Sequence, residues 1–146
     1  MDNMIRKMTA ADIQAVAEIE KSCFSSPWTR EGLLSELSNP QAEFYVLESG
    51  GTVAAYMGMH IVLDECYIAN VAVSPDFRRK GFGELLVKNA LTVAEKKGCC
   101  FITLEGRVSN TPAAELYGKC GFTAVGERKN FYTAPVENAL IMTKYF

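Results

Sequence analysis

Two rhythms of apolar and polar positions alternate along this chain, and each change of rhythm marks an element. Met4 to Met8 reads as a short first strand. Thr9-Ala10-Ala11-Asp12 then sets a capping residue three positions ahead of an acid, the pattern of a helix start. Ile13, Val16, Ala17, Cys23 and Phe24 continue at helical spacing, forming the apolar stripe of a first helix. Ser26-Pro27-Trp28-Thr29 opens a second, shorter helix through about Leu37, and Asn39-Pro40 stops it.

Strand-like runs follow. Glu43 to Glu48 and Val53 to Leu63 flank Ser49-Gly50-Gly51-Thr52 and predict a hairpin around a glycine turn. Leu63-Asp64-Glu65 begins another turn, and Tyr67 to Val73 makes the third strand of an antiparallel set. Helical spacing returns at Phe82, Leu85, Leu86, Ala90, Val93 and Ala94, predicting a long helix from Gly81 to Lys97. Lys96 and Lys97 suit the negative end of its dipole, and Gly98 ends it. A strand at Cys100 to Glu105 completes a strand–helix–strand crossover. A fourth helix starts near Thr111-Pro112 with Asn110 or Thr111 as cap. It carries Ala113, Leu116, Tyr117 and Cys120 on one face and ends at Gly121. Phe122 to Glu127 and Ala139 to Tyr145 read as closing strands joined by an aromatic, basic loop. No repeats or low-complexity segments are visible.

A chain of 146 residues is expected to be one domain, 1–146. At that size it buries roughly 68–70% of its unfolded surface, enough for a real core. A formal net charge of −2 gives no global basic surface for nucleic acid or an acidic membrane. Cys23, Cys66, Cys99, Cys100 and Cys120 are odd in number and lie mostly in apolar runs, so they read as reduced, buried thiols, with Cys99 and Cys100 on opposite faces of a strand. There is no C-x-x-C, and His60, the only histidine, reads as a strand residue, so a metal site is not expected. No signal-peptide pattern and no apolar run near ~18 residues are visible, and the expected location is the cytoplasm.

Composition leaves one dense cationic spot, Arg78-Arg79-Lys80-Gly81-Phe82-Gly83, between the third strand and the long helix. Two glycines allow a tight turn and close backbone approach to a ligand, while the helix behind them presents unpaired N–H groups and its positive end. Phosphate suits such a place, although a solvated basic turn would use the same residues. A Walker loop fails because Glu84 follows Gly83 where lysine is needed. The dinucleotide fingerprint has Leu86 at its third glycine, with Glu105 as the only counterpart of its ribose-binding acid. Three cations ahead of the glycines better match a ligand with several phosphates.

The order strand, two helices, three antiparallel strands, R-x-x-G-x-G loop, helix, strand, helix, two strands resembles the GNAT superfamily of N-acetyltransferases over essentially the whole chain. Phe24-x-x-Pro27-Trp28-Thr29, Ile68 to Val73, Leu104-Glu105-x-Arg107-x-Ser109-Asn110, Ala114-x-Leu116-Tyr117 and Gly121-Phe122 resemble its ribosomal-protein-alanine N-acetyltransferase branch. The resemblance implies an α/β (α+β) fold: a twisted, mixed but mostly antiparallel sheet of six to seven strands flanked by four helices. It also implies acetyl-CoA as co-substrate, with the pantetheine arm along Val71, Ala72 and Val73. The pyrophosphate would lie on main-chain N–H groups of Arg78, Arg79, Lys80, Gly81, Phe82, Gly83 and Glu84, and Asn110 would be a further cofactor contact. By the same resemblance Glu105 is the general base and Tyr117 the general acid. The acceptor, an N-terminal protein segment of ribosomal origin, would lie near Trp28 and the Arg128 to Tyr132 loop. A monomer or weak dimer is expected, with no metal, nucleic acid or membrane partner.

The chemistry is consistent with those roles. An α-amino group has an ordinary pKa of about 7.7–8.0 against about 10.4 for lysine, so a carboxylate working through water is an adequate base for a protein N-terminus. A phenol stays protonated and can still hand its proton to a leaving thiolate. Each residue also has a plainer reading: Glu105 as a solvated strand-end acid, Tyr117 as core, Trp28 as a staple for the second helix, Arg128 to Tyr132 as a hairpin tip. Phe131, Asn138 and Gly106 depart from the family's usual tyrosine, aspartate and bulkier residue, which bears on acceptor specificity. Acetylation of a small amine, such as a polyamine, amino acid or drug, and non-catalytic acyl-CoA binding stand as alternatives.

Overall fold

The computed structural model describes residues 2–146. In chain order the elements are β1 (Asn3–Lys7), α1 (Ile13–Cys23), α2 (Arg30–Glu36), β2 (Ala42–Ser49), β3 (Thr52–Val62), β4 (Glu65–Val73), α3 (Phe82–Lys96), β5 (Phe101–Arg107), α4 (Thr111–Lys119), β6 (Thr123–Tyr132) and β7 (Glu137–Tyr145). Short 3-10 turns at Ala10–Asp12 and Pro75–Phe77 precede α1 and α3. Among the described residues seven strands form one sheet in the order β1-β2-β3-β4-β5-β7-β6. Every pairing is antiparallel except β4 with β5, which the α3 crossover makes parallel. The mixed, mostly antiparallel sheet with four helices matches the expectation.

The sheet divides the core in two. Phe44, Val46 and Tyr56 point to the face covered by α1 and α2, where they meet Ile13, Val16, Ala17 and Leu33. Tyr45, Leu47, Met57 and Met59, one residue out of phase, point to the other face against Leu86, Val87 and Ala90 of α3. β3 is therefore covered on both sides, and Ala54 to Met59 is apolar without a break apart from Gly58. That glycine is required by packing: a Cβ there would lie 2.4 Å from the Phe44 ring.

The N-terminal strand is fastened through Arg6. Its guanidinium donates to both Asp12 oxygens at 2.7 and 2.8 Å and reaches Glu48 on β2. Asp12 also accepts from the Thr9 main-chain N–H at 2.8 Å, which fixes the entry to α1. Together the Arg6 and Thr9 bonds hold the Asp12 carboxyl below its ordinary value.

Three expectations change. On α3 the buried residues are Phe82, Leu86, Val87, Ala90 and Ala94, while Leu85 is 43% exposed, because the stripe is centred on the four-residue ridge of Leu86, Ala90 and Ala94 and Leu85 falls on the far side from Val87. Arg128 to Tyr132 is not a loop but the end of β6, pairing from Arg128↔Ala139 to Tyr132↔Glu137 across a bulge. Asn130 takes φ 52° there and its N–H donates to Asn138 Oδ1 at 3.0 Å, so the connection shortens to residues 133–136. Cys99 and Cys100 precede β5 rather than sitting on it; Cys99 is buried, but Cys100 is exposed, with its thiol on Asp64 Oδ2 at 3.1 Å. Cys23 and Cys120 are half-buried.

Candidate active site

β4 and β5 pair only at Glu65↔Phe101, Cys66↔Ile102 and Tyr67↔Thr103, after which β4 runs on to Val73 and β5 to Arg107 without touching. The register of β4 on β3 skips Ala69, a bulge that bends the strand where it leaves its neighbour. The gap opens into a cleft of about 630 Å³. Its floor is Ile68 to Val71 and Leu104 to Arg107. The segment from Cys23 to Trp28 forms one wall, Asn110, Ala113 and Tyr117 the other, and Phe131, Tyr132 and Thr133 the roof.

Glu105, Tyr117, Asn110, Val71, Trp28 and Tyr132, far apart in sequence, all line this cleft. Glu105 stands at the end of β5 with its carboxylate ion-paired to the Arg128 Nε from β6. Tyr117 is 9% exposed and packs its ring 5.7 Å from Phe122, and its hydroxyl has no hydrogen-bond partner among the described residues. Burial pushes its phenol up to about 12, so it holds its proton. Asn110 caps α4, its Oδ1 accepting from the Ala113 N–H at 3.3 Å. Trp28 lines the cleft and also packs 5.7 Å from Phe44, serving both as wall and as anchor of the α1–α2 segment.

Ala72 points away, into the core beneath α1. The residues from Arg78 to Glu84 lie beyond the cleft lining, at the C-terminal end of β4. Arg79 at φ 63° and Gly81 at φ 78° bracket Lys80, an alternation of hand that turns successive N–H groups toward one side. Gly81 is the N-cap of α3, and Gly83 lets α4 close in: a Cβ there would sit 3.2 Å from Leu116. Arg78 folds back, its Nε donating to the Val73 carbonyl at 3.3 Å and its Nη2 to Cys23 Sγ at 3.3 Å. Lys80 lies 5.9 Å over the Phe77 ring. Glu84 is held by Lys88 at 2.8 Å and Lys119 at 2.9 Å, which bring its carboxyl down to about 2.

Two groups were given no role by the sequence reading, although Arg107 stands in its Leu104-to-Asn110 motif. Glu20 of α1 has no exposed surface, and its carboxylate accepts from the Tyr56 hydroxyl, from Asn70 Nδ2 at 2.9 Å and from the Trp28 N–H at 2.9 Å. Its signal was present: Ile13, Val16, Ala17 and Glu20 are one helical stripe, with an acid where an apolar side chain belongs. Arg107, two residues beyond Glu105, gathers five contacts. Its Nη1 donates to the Pro135 carbonyl at 2.9 Å and Glu137 Oε1 at 3.1 Å, and its Nη2 to the Thr133 carbonyl at 3.1 Å and Ser25 Oγ at 3.5 Å. Its guanidinium also lies 4.5 Å over the Tyr132 ring. As for the departures from the family pattern, a Cβ on Gly106 would meet open space, and Phe131 stands edge-on to Tyr132 at 5.0 Å in the roof.

Comparison with known proteins gives the family and the fold. The model of the acetyltransferase (GNAT) family matches residues 13–122. A Bacillus subtilis (strain 168) protein provisionally named a ribosomal protein bS18-alanine N-acetyltransferase is 44% identical over 139 residues, 94% of this chain and 92% of that one. The Escherichia coli (strain K12) ribosomal protein bS18-alanine N-acetyltransferase is 33% identical over 142 residues, 96% of this chain and 95% of that one. The crystal structure of the E. coli ribosomal-protein-S18-alanine N-acetyltransferase superposes with a TM-score of 0.91 at 32% identity, over 99% of this chain and 94% of that one. The fold is also that of an N-acetyltransferase from Thermoplasma acidophilum solved with coenzyme A, with a TM-score of 0.84 at 20% identity and full coverage of both chains.

Proposed function

The chain belongs to the acetyltransferase (GNAT) family, and from that premise we propose that it transfers acetyl from acetyl-CoA to the N-terminal alanine of a small-subunit ribosomal protein. One observation carries this reading: the parting of β4 and β5 opens a single cleft lined by a carboxylate, Glu105, and a proton-bearing phenol, Tyr117.

The residues present fit the co-substrate. Beyond Tyr67, β4 offers main-chain groups on its open side, suited to the amides of a pantetheine arm. The left-handed turn at Arg79 and Gly81 and the start of α3 offer N–H groups to a pyrophosphate, with Asn110 as a further contact. Acetyl-CoA brings an acetyl group activated as a thioester. Within the cleft, Glu105 takes a proton from the acceptor ammonium through water, freeing the nitrogen to attack. As the N–C bond forms and the C–S bond breaks, Tyr117 gives its phenolic proton to the departing sulfur and is reprotonated, through water, by the second proton the nitrogen sheds; of the two ammonium protons lost, one goes to Glu105 and one ends on the thiol. Trp28, Tyr132 and Arg128 hold the acceptor; Arg128, already on Glu105, also orients that carboxylate. Holding two reactants in register contributes about 7–11 kcal/mol to such a reaction, so much of the acceleration is assigned to the walls rather than to the proton donors and acceptors.

We place residues 1–146 in one catalytic domain acting in the cytoplasm as a monomer or weak dimer, without nucleic acid or membrane; no helix among the described residues is long and apolar enough to cross a membrane. The test is thiol release from acetyl-CoA with a panel of acceptors: peptides varied at the first residue, lysine-bearing peptides and polyamines. Turnover confined to free N-terminal peptides supports the proposal, with alanine leading. Turnover of polyamines alone, or coenzyme A binding with no acceptor consumed, overturns it.

A further inference from the structure

Arg107 and Glu137 sit where three walls of the cleft meet. Arg107 is on β5, two residues beyond Glu105 and on the same side of the strand. Its guanidinium holds the 133–137 segment through two main-chain carbonyls and the Glu137 carboxylate, and it reaches Ser25 on the α1–α2 segment. Glu137 uses its other oxygen to accept the Ser109 N–H at 2.7 Å, in the turn that leads to the Asn110 cap of α4. That contact and Arg107 hold the Glu137 carboxyl below its ordinary value.

We propose that Arg107 and Glu137 form a latch that fixes the roof of the acceptor slot and so sets how tightly, and in what register, the acceptor peptide is held. The inference rests on the acetyltransferase reading of the cleft. Neither group is assigned to the reacting atoms; both are positioning residues, acting through Tyr132, Thr133, Ser25 and Ser109. Geometry favours arginine for this task. Only a planar fork can serve two carbonyls, a carboxylate and a hydroxyl while stacking on an aromatic face, and lysine, a point charge with three donors, cannot satisfy all of them. The latch lies at the acceptor end. Among the described residues neither Arg107 nor Glu137 bonds to the segment from Arg78 to Glu84, so the pyrophosphate turn stands apart from the latch.

Arg107→Gln, Arg107→Lys and Glu137→Gln test this in the full chain, with steady-state kinetics in both substrates. For Arg107→Gln and Glu137→Gln the KM for an N-terminal peptide should rise about tenfold or more, while the KM for acetyl-CoA stays within about twofold. Arg107→Lys should fall between these variants and the parent. Amide exchange should quicken at residues 133–137 and stay unchanged in β3. If Arg107→Gln does not fold, Glu137→Gln carries the test, since it leaves the main-chain bonds of Arg107 in place. Equal rises in both KM values, or exchange that quickens uniformly, would reduce the pair to ordinary fold stabilisation and overturn the latch. A parent protein that consumes no peptide acceptor overturns the activity itself, a different result from unchanged peptide KM in the variants of an active parent.

Discussion

The side-chain amide of Asn70 donates to the Glu20 carboxylate at 2.9 Å, joining the cleft floor to a carboxylate with no exposed surface. Tyr56 from β3 and the Trp28 N–H complete three donors on that one group, and no ion pair reaches it among the described residues. A buried carboxylate is costly unless its oxygens are hydrogen-bonded, and here both are. Glu20 therefore ties α1, β3, β4 and the wall carrying Trp28 into one unit.

Glu20→Ala should destabilise the fold by about 2–5 kcal/mol, since it leaves the buried Tyr56 hydroxyl and two half-buried N–H donors without their acceptor. Urea denaturation measures this, and a loss under about 1 kcal/mol would show the network to be dispensable. Glu20→Gln, which keeps the shape and one acceptor oxygen, should lose less.

Glu105→Gln should lower kcat by about 10²–10⁴-fold, the usual contribution of a positioned proton acceptor, and leave acetyl-CoA affinity unchanged. The remaining rate should climb with pH through the ordinary α-amino range, because the variant draws on acceptor that is already deprotonated. Turnover unaltered across pH would remove Glu105 from the chemistry.

Tyr117→Phe should cut kcat with little change in either KM, because the ring still packs on Phe122 and only the proton is gone. With the parent phenol raised to about 12 by burial, its ionisation should not limit the rate anywhere near neutrality. An alkaline limb that begins near pH 9 and survives in Tyr117→Phe would come from another group.

Asp12→Asn probes the N-terminal clasp through pH. Because the folded Asp12 carboxyl is held below its ordinary value, its contribution is complete above the ordinary carboxylate range and declines as pH falls through the lowered value. The stability gap between parent and variant should thus be full at pH 7 and close as acid protonates the parent. A gap that stays constant down to pH 2 would assign it to packing instead.

Much of this molecule is legible from residue order, and the exceptions share a cause. Gly81 and Gly98 bound α3 because only glycine accepts their left-handed turns cheaply, and that is visible in one dimension. The approach of Glu105 to Tyr117 across one cleft followed from a resemblance, since spacing alone would leave them as a strand-end acid and a core aromatic. Arg128 to Tyr132 looked like a loop because its charges break the alternation, yet β6 is the sheet's edge and exposed along nearly its whole length, so nothing demands a buried face there. For Glu20 and Arg107 it is the partners that were hidden. The side-chain donors to Glu20 lie 36 and 50 residues away and the hydrogen-bond partners of Arg107 26 to 82, and no local pattern announces such meetings.

Three rungs are all that join β4 to β5, and this has a thermodynamic corollary. A molecule that lies along the open side of Ile68 to Val73 acts as the missing neighbour, so loading the cleft and folding the sheet become linked equilibria. Beyond saturation, each tenfold increase in such a molecule's concentration adds about 1.4 kcal/mol to the resistance of the whole fold. The melting temperature of this protein is then a gauge of what occupies it.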